Sequence, residues 1–230
     1  MIKIENITVY GWEAAIRGMR NPMNSWDKSD SIPYDRVGEE DLKLMKSLVK
    51  AGPDHAKFMR MVDVTMDITA PMYWWKEFDT YKVGTVRNSC STMHKLTERP
   101  FKRKDFSCEH LYGDGIIPDH VDENPYDMLG CVINCLNYVR DEYLEICEKI
   151  KLGVDAPAED LKAIAKRYWY NMIQLLPSSY NQRATIHLNY AVLRNMYHSR
   201  KNHKLDEWRE FCKWIETLPY SELITMEGNA

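Results

Sequence analysis

The stretch LPSSYNQRATIHLNYAVLRNMYHSRKNHKLDEWR, residues 176–209, decides how this chain is read. Leu176-Pro177 closes whatever precedes it, because proline removes a backbone donor and forces the residue before it out of helical conformation. Ala184 to Leu188 (ATIHL) alternates branched and polar residues, the pattern of a half-buried strand. Asn189 follows. Its side-chain oxygen can accept from a free backbone amide, so it caps a helix expected over Tyr190 to Lys201. After a short polar turn, Leu205 to Thr217 repeats apolar residues at helical spacing. The block reads strand, capped helix, turn, helix.

Outward from it, Ala158 to Leu175 and Pro125 to Lys151 read as two long helices separated near Gly153. On the second, Met128, Val132, Cys135, Leu136, Val139, Tyr143, Ile146 and Ile150 follow one face. Residues 97 to 123 carry Pro100, Gly113, Gly115 and Pro118 and read as loop, with Lys102-Arg103-Lys104 as a solvated tip. Val62 to Thr69 (VDVTMDIT) has strict period two and is expected to be a strand, ended by Ala70-Pro71. Met72 to Phe78 is an aromatic-rich helix behind that proline. Glu39 to Lys50 is a helix with acidic residues in its first turn, and Asp54 to Met61 a second one after Gly52-Pro53. Ile2 to Tyr10 is a strand, and Trp12 to Met19 a short helix. Arg20 to Pro33 is a non-periodic loop in which Arg17, Arg20, Asn21, Ser25 and Ser29 can grip an anion, or simply face solvent. The sum is α+β, helix-rich with a small sheet, in one domain over 1–230.

Composition narrows the class. Lys plus Arg is 31 and Asp plus Glu 34, a formal charge of −3, which gives no basic excess for a nucleic-acid partner. No apolar run reaches membrane-spanning length and the N-terminus lacks a signal-peptide core, so no membrane is expected and the cytoplasm is the expected compartment. The six cysteines are diluted over 230 residues. Cys131 and Cys135 sit four apart on a helix without a second pair at zinc spacing, so no metal is expected. No Walker loop, nucleophile elbow or GxGxxG is present.

Block 176–209 resembles the C-terminal signature of the flavin-dependent thymidylate synthases. There, a Leu-Pro precedes a short strand that leads to a helix of the form Asn…Asn…Leu-Arg, then a polar stretch and a helix with a Trp-Glu pair. Leu176-Pro177, Asn189, Asn195 and Arg200 fall at that spacing without a gap, whereas the last pair is reversed as Glu207-Trp208. The resemblance implies that Asn189 and Asn195 contact FAD and that Arg200 donates to the pyrimidine carbonyl of dUMP, stabilising charge there during catalysis. Read without it, Asn189 is a helix cap and Arg200 a surface charge.

A second resemblance covers Met59 to Leu96. The family runs strand, Ala-Pro, a helix with a basic-Gln-aromatic triplet, then RHRxxSxNExSxRY. Here VDVTMDIT-AP-MYWW-KEF leads into TYKVGTVRNSCSTM, so that Glu77 stands at the Gln of the triplet. Anchored on Ala70-Pro71, Lys82 stands for the second Arg, Thr85 for the first Ser, Asn88 for the Glu and Cys90 for the second Ser. Thr80, Tyr81, Arg87 and Thr92 replace the first Arg, the His, the Asn and the last Arg. A register shifted by five would place Arg87 on the last Arg but breaks the anchor. By position, Tyr81 and Lys82 would meet the cofactor, and Glu77, Arg87, Asn88 and Cys90 the substrate. A threonine cannot replace an arginine's bidentate fork on phosphate, and a lysine replaces it only as a point charge. Arg17, Arg20 or Arg87 would then have to supply the lost grip. Cys90 reads either as a poised thiol or as a buried inert one.

What the resemblance implies is an FAD-dependent synthase that methylates dUMP or a related pyrimidine nucleotide, with NADPH and methylenetetrahydrofolate as co-substrates. It also implies a homotetramer with sites across subunits; the aromatic triplets Tyr73-Trp74-Trp75 and Tyr168-Trp169-Tyr170 either bury such interfaces or pack inside one chain. The eroded signature keeps open a relative that binds nucleotide or flavin without turnover, and an unrelated helical enzyme is the remaining alternative.

Overall fold

The computed structural model describes residues 2–33, 36–111, 128–153 and 157–227. In chain order the elements are β1 (Lys3–Tyr10), α1 (Trp12–Arg20), α2 (Glu39–Lys50), β2 (Asp63–Pro71), α3 (Met72–Phe78), β3 (Val86–Ser89), α4 (Met128–Leu152), α5 (Ala158–Leu175), β4 (Asn181–Asn189), α6 (Tyr190–Arg200), α7 (Asp206–Ile215) and α8 (Glu222–Thr225). This is the expected α+β chain. The described residues cluster into two compact units, one from 1–69, 74–89 and 183–230, the other from 70–73 and 90–182.

In the first unit the strands lie in the order β1-β2-β4-β3. β1 pairs antiparallel with β2, Ile4 opposite Ile68 and Tyr10 opposite Asp63, and β3 pairs antiparallel with β4, Val86 opposite His187. Strand alternation assigns the faces: Val64, Met66 and Ile68 of β2 and Ala184, Ile186 and Leu188 of β4 are buried. The opposite face is polar. There Asp67 accepts from Thr185 Oγ1 at 2.6 Å, Asn6 Nδ2 at 2.8 Å and Arg183 Nη2 at 2.7 Å. The Thr185, Asn6 and Arg183 bonds hold its carboxyl down at about 2. The register of β1 shifts between Glu5 and Thr8, where Asn6 has φ 53.

Gly11 turns the chain from β1 into α1 at φ 96, and a Cβ there would lie 2.0 Å from the Met61 carbonyl oxygen, so only glycine fits. An aromatic cluster fills the core. Trp74, Trp75 and Phe78 of α3 pack with Trp208 and Phe211 of α7, with Trp74–Phe78 centroids 5.0 Å and Trp74–Trp208 centroids 4.9 Å apart. All five are at most 2% exposed. Each is worth roughly 1.5–3 kcal/mol on burial, so the pairing of α3 with α7 is a main support of this unit. The alternative that Trp74 and Trp75 bury a subunit interface is corrected here: they are enclosed by their own chain. α6 is pinned at its start by Tyr190, fully buried, whose Oη donates to the Pro219 carbonyl at 2.6 Å.

Residues 20–33 form no open anion-gripping loop around Arg20. Arg20 is 5% exposed; its Nε donates to Asp41 Oδ1 at 2.6 Å, Nη1 to the Ser25 carbonyl and Nη2 to the Lys28 carbonyl. Ser29 and Ser31 donate to the other Asp41 oxygen at 2.6 and 2.5 Å. A buried charge needs that many partners, and here they fold the loop back on α2. Arg17 stays exposed.

In the second unit α4 packs on α5. Leu129, Ile133 and Leu136 meet Leu96, Phe101 and Phe106, with Ile173, Leu176 and Tyr180 against them. Lys102-Arg103-Lys104 is not a bare tip: residues Arg103–Asp105 make a 3₁₀ turn, and buried Asp105 takes a fork from Arg99 at 2.6 and 2.7 Å. Residues 112–123 and 125–127 of the expected loop and helix lie outside the described residues. Asp54 to Met61 is not an α-helix; only Ala56–Met61 coils, as 3₁₀. β4 begins three residues earlier than expected and ends one later, and β3 and α8 were not expected at all.

Candidate functional site

The site is built within the first unit, where α3, the turn after it, the two ends of α6 and the start of α7 converge. Arg200, in the last turn of α6, lies over the Trp208 ring at 4.9 Å and the Tyr81 ring at 5.6 Å from guanidinium carbon to centroid. Its Nε donates to Tyr81 Oη at 2.9 Å and its Nη1 to Glu77 Oε2 at 2.7 Å. The same Glu77 oxygen accepts the indole N–H of Trp208 at 3.0 Å and faces His203 Nε2 at 3.4 Å. Two aromatic faces and two hydrogen bonds thus hold one guanidinium in place. The side chain remains 20% exposed, so it is a positioned cation at a surface opening and not a loose surface charge.

The other end of α6 is capped as its sequence predicts. Asn189 Oδ1 accepts from Val192 N at 3.1 Å, which leaves the amide's NH₂ group as a donor. Gly84 approaches that cap at φ +77; a Cβ on it would come within 3.1 Å of Val192 Cγ2 and 3.2 Å of Asn189 Nδ2. The turn 79–87 therefore lies against the start of α6, with its backbone as close as glycine allows. Between α3 and β3 this turn bounds a cavity of about 130 Å³ lined by Phe78, Asp79, Tyr81, Lys82, Thr85 and Arg87. Arg87 stacks over Trp75 at 4.1 Å and pairs through Nη1 with Asp79 Oδ2 at 2.6 Å.

Of the residues singled out from sequence, Glu77, Tyr81 and Arg200 come into direct contact, Lys82 and Arg87 share the cavity with Tyr81, and Asn189 stands beside the turn that carries them. Asn195 is exposed on α6, and Ser199 Oγ donates to its Oδ1 at 3.4 Å. Asn88 is exposed on β3, opposite Thr185. Cys90 belongs to the second unit and is exposed, so the buried-thiol alternative is corrected; its carbonyl accepts from Gln182 Nε2 at 2.7 Å. Trp208, His203 and Asp79 were missed. Trp208 had a signal, the reversed Glu207-Trp208 pair eight residues past Arg200, whereas His203 and Asp79 are set only by tertiary packing. Among the described residues no group of His, Cys, Asp and Glu is placed to hold a metal ion, and no helix is long and apolar enough to cross a membrane.

A larger depression along α2, lined by Glu39, Leu42, Lys43, Lys46, Ser47 and Lys50, is one helix face open to solvent, and Lys46 there pairs with Glu222 at 3.1 Å. It gathers no comparable chemistry.

No protein-family model matches the sequence, and no curated protein does. Solved structures do match. Thymidylate synthase X of Helicobacter pylori, crystallised with FAD and dUMP, superposes with a TM-score of 0.61 at 14% identity, covering 99% of this chain and 98% of that one. A second structure of the flavin-dependent thymidylate synthase of Helicobacter pylori, again with FAD and dUMP, gives a TM-score of 0.61 and 14% identity over 98% of both chains. At that identity the match shows the fold, from one end of the chain to the other.

Proposed function

We propose, from a fold shared end to end with flavin-dependent thymidylate synthase, that this protein is a divergent enzyme of that type. It reductively methylates dUMP or a related pyrimidine nucleotide with FAD as its bound cofactor and NADPH and methylenetetrahydrofolate as co-substrates. In this reading residues 1–230 work as one domain, in a cytoplasmic homotetramer. The observation that carries it is the clamped Arg200. A guanidinium fixed by Tyr81, Glu77 and Trp208, with 20% of its side chain open, is the preorganised donor that a charge developing on a pyrimidine carbonyl requires.

The residues present fit a flavin. Asn189 offers an amide NH₂ at a spot where Gly84 has given up its side chain to close approach. Asn195 offers a second amide on the same helix, and Tyr81 and Lys82 an aromatic face and an ammonium. Bound there, FAD would supply the hydride that completes the methyl group. The chain's own share is positioning: Arg200 holds the base and takes up charge at its carbonyl, while Glu77 fixes Arg200 and Trp208. Arg87, Asn88 and Cys90 are the remaining substrate-side residues of this proposal.

One observation favours a second reading, the relative that binds without turnover. Glu77 already neutralises Arg200, and the signature arginines are replaced by Thr80 and Thr92. A dUMP-dependent NADPH oxidation assay on the purified, FAD-loaded protein separates the two. Oxidation that requires both dUMP and the folate supports the enzyme. Bound flavin with no dUMP-dependent oxidation supports the binding protein.

A further inference from the structure

Sulfur is concentrated on one face of α4. Met128, Cys131 and Cys135 stand at positions i, i+3 and i+7 of that helix, so at roughly 100° per residue their side chains leave it within about 60° of one another. All three are open to solvent: Met128 is 72% exposed, and both cysteines are exposed and free. The opposite side of the same turns, Leu129, Ile133 and Leu136, packs into the core of the second unit. The sulfur face takes no part in that packing. Free cysteine is among the residues most often buried, so two of them facing water one turn apart need another reason. Cys147, further along the same helix, is the contrast: it is half-buried and hydrogen-bonded to Tyr143.

Spacing decides what the two thiols can do. Cβ atoms four residues apart on a helix lie ~5–6 Å from each other, whereas a disulfide needs about 3.5–4.5 Å. The pair does not close on itself while the helix stands. One cation between the two sulfurs spans the same gap and leaves the backbone undistorted. The donors then choose the cation. Two thiolates and a thioether are soft ligands and favour copper(I). Zinc takes four ligands, and no third His, Cys, Asp or Glu joins the pair among the described residues.

We propose that this face of α4 binds one copper(I) ion, held by the sulfurs of Cys131 and Cys135 with Met128 as the third ligand. On binding, a copper–sulfur bond forms to each thiolate and the two thiol protons pass to water. The metal enters and stays as copper(I), so no electron moves. The site lies within the second unit and does not rest on the function proposed above.

Titration of the full chain with copper(I), reduced and kept free of oxygen, in competition with the coloured chelator bathocuproine disulfonate tests the site. Wild type is expected to withdraw one copper per chain. Cys131→Ser and Cys135→Ser should each weaken binding by about a hundredfold or more, because a lost direct ligand costs at least the ~10–100-fold of an outer partner. Met128→Leu keeps the volume without the donor and should weaken binding about tenfold, the lower end of that range. All three side chains are exposed, so the variants should melt with wild type, which separates loss of a ligand from loss of the fold. X-ray absorption at the copper edge should show sulfur neighbours only. Cys90, also exposed, stays in every variant, so copper held there would survive all three substitutions and overturn the site. No withdrawal of copper by wild type, one copper per two chains, or equal affinity in wild type and both serine variants overturns it as well. Wild-type affinity in Met128→Leu overturns the third ligand.

Discussion

Replacing Glu77 by leucine tests the clamp at its centre. The carboxylate takes hydrogen bonds from Arg200 and from Trp208, and Trp208 is fully buried. Without Glu77 the indole N–H of Trp208 loses its acceptor where water does not reach, which costs about 1–3 kcal/mol. The Arg200 pair adds little, ~0.5–1 kcal/mol, because both partners are partly open to solvent and screened. The sum is about 2–4 kcal/mol. For a chain of this size a kilocalorie is worth about 2–4 °C, so the transition of the first unit should fall by about 5–15 °C. Glu77→Gln keeps an acceptor oxygen in the same place and should stay within about 3 °C of wild type. Differential scanning calorimetry, with tryptophan fluorescence following Trp208, reads both variants. A Glu77→Leu protein that melts with wild type would show that the carboxylate holds nothing. A Glu77→Gln protein as damaged as Glu77→Leu would show that charge, not an acceptor for Trp208, is what matters.

Asp41→Ala should be more damaging still, by about 3–5 kcal/mol, since it strands Arg20 as a buried unpaired charge; chemical denaturation measures it, and a loss under 1 kcal/mol refutes the buried pair. The carboxyl of Asp67 is depressed from 3.8 to about 2 on folding, so its contribution is present above pH 4 and is lost as the pH falls through about 2. Asp67→Asn should therefore flatten the pH dependence of stability between pH 4 and 2, and an unchanged acid-unfolding curve would rule that out. Alkylation of the native protein should label Cys90, Cys131 and Cys135, which are exposed, well before Cys212, whose thiol burial pushes up to about 12. Mass spectrometry finding Cys212 labelled first contradicts the packing of α7.

How far the sequence carries the fold can be seen element by element. β2 was legible because Val64, Met66 and Ile68 alternate with Asp63, Thr65 and Asp67. α5 was legible to the residue, closed by Leu176-Pro177. β3 was not: its four residues, VRNS, lie at the sheet edge, where one buried face is absent and alternation has nothing to report. Arg20 was misread because loop composition does not reveal that Asp41, on the following helix, turns toward it. Asn189 was legible as a helix cap, and Arg200 was singled out by the resemblance of its segment. The pairing of Arg200 with Glu77 joins residues 123 apart in sequence, and no local pattern encodes it.

The measurement that bears most directly on the whole account is the absorbance of the purified protein between about 350 and 500 nm, before and after adding FAD, repeated with Asn189→Ala. A bound-flavin spectrum that weakens in Asn189→Ala is the predicted result. No bound flavin in wild type, even at high added FAD, contradicts the flavin-dependent chemistry and with it the central claim.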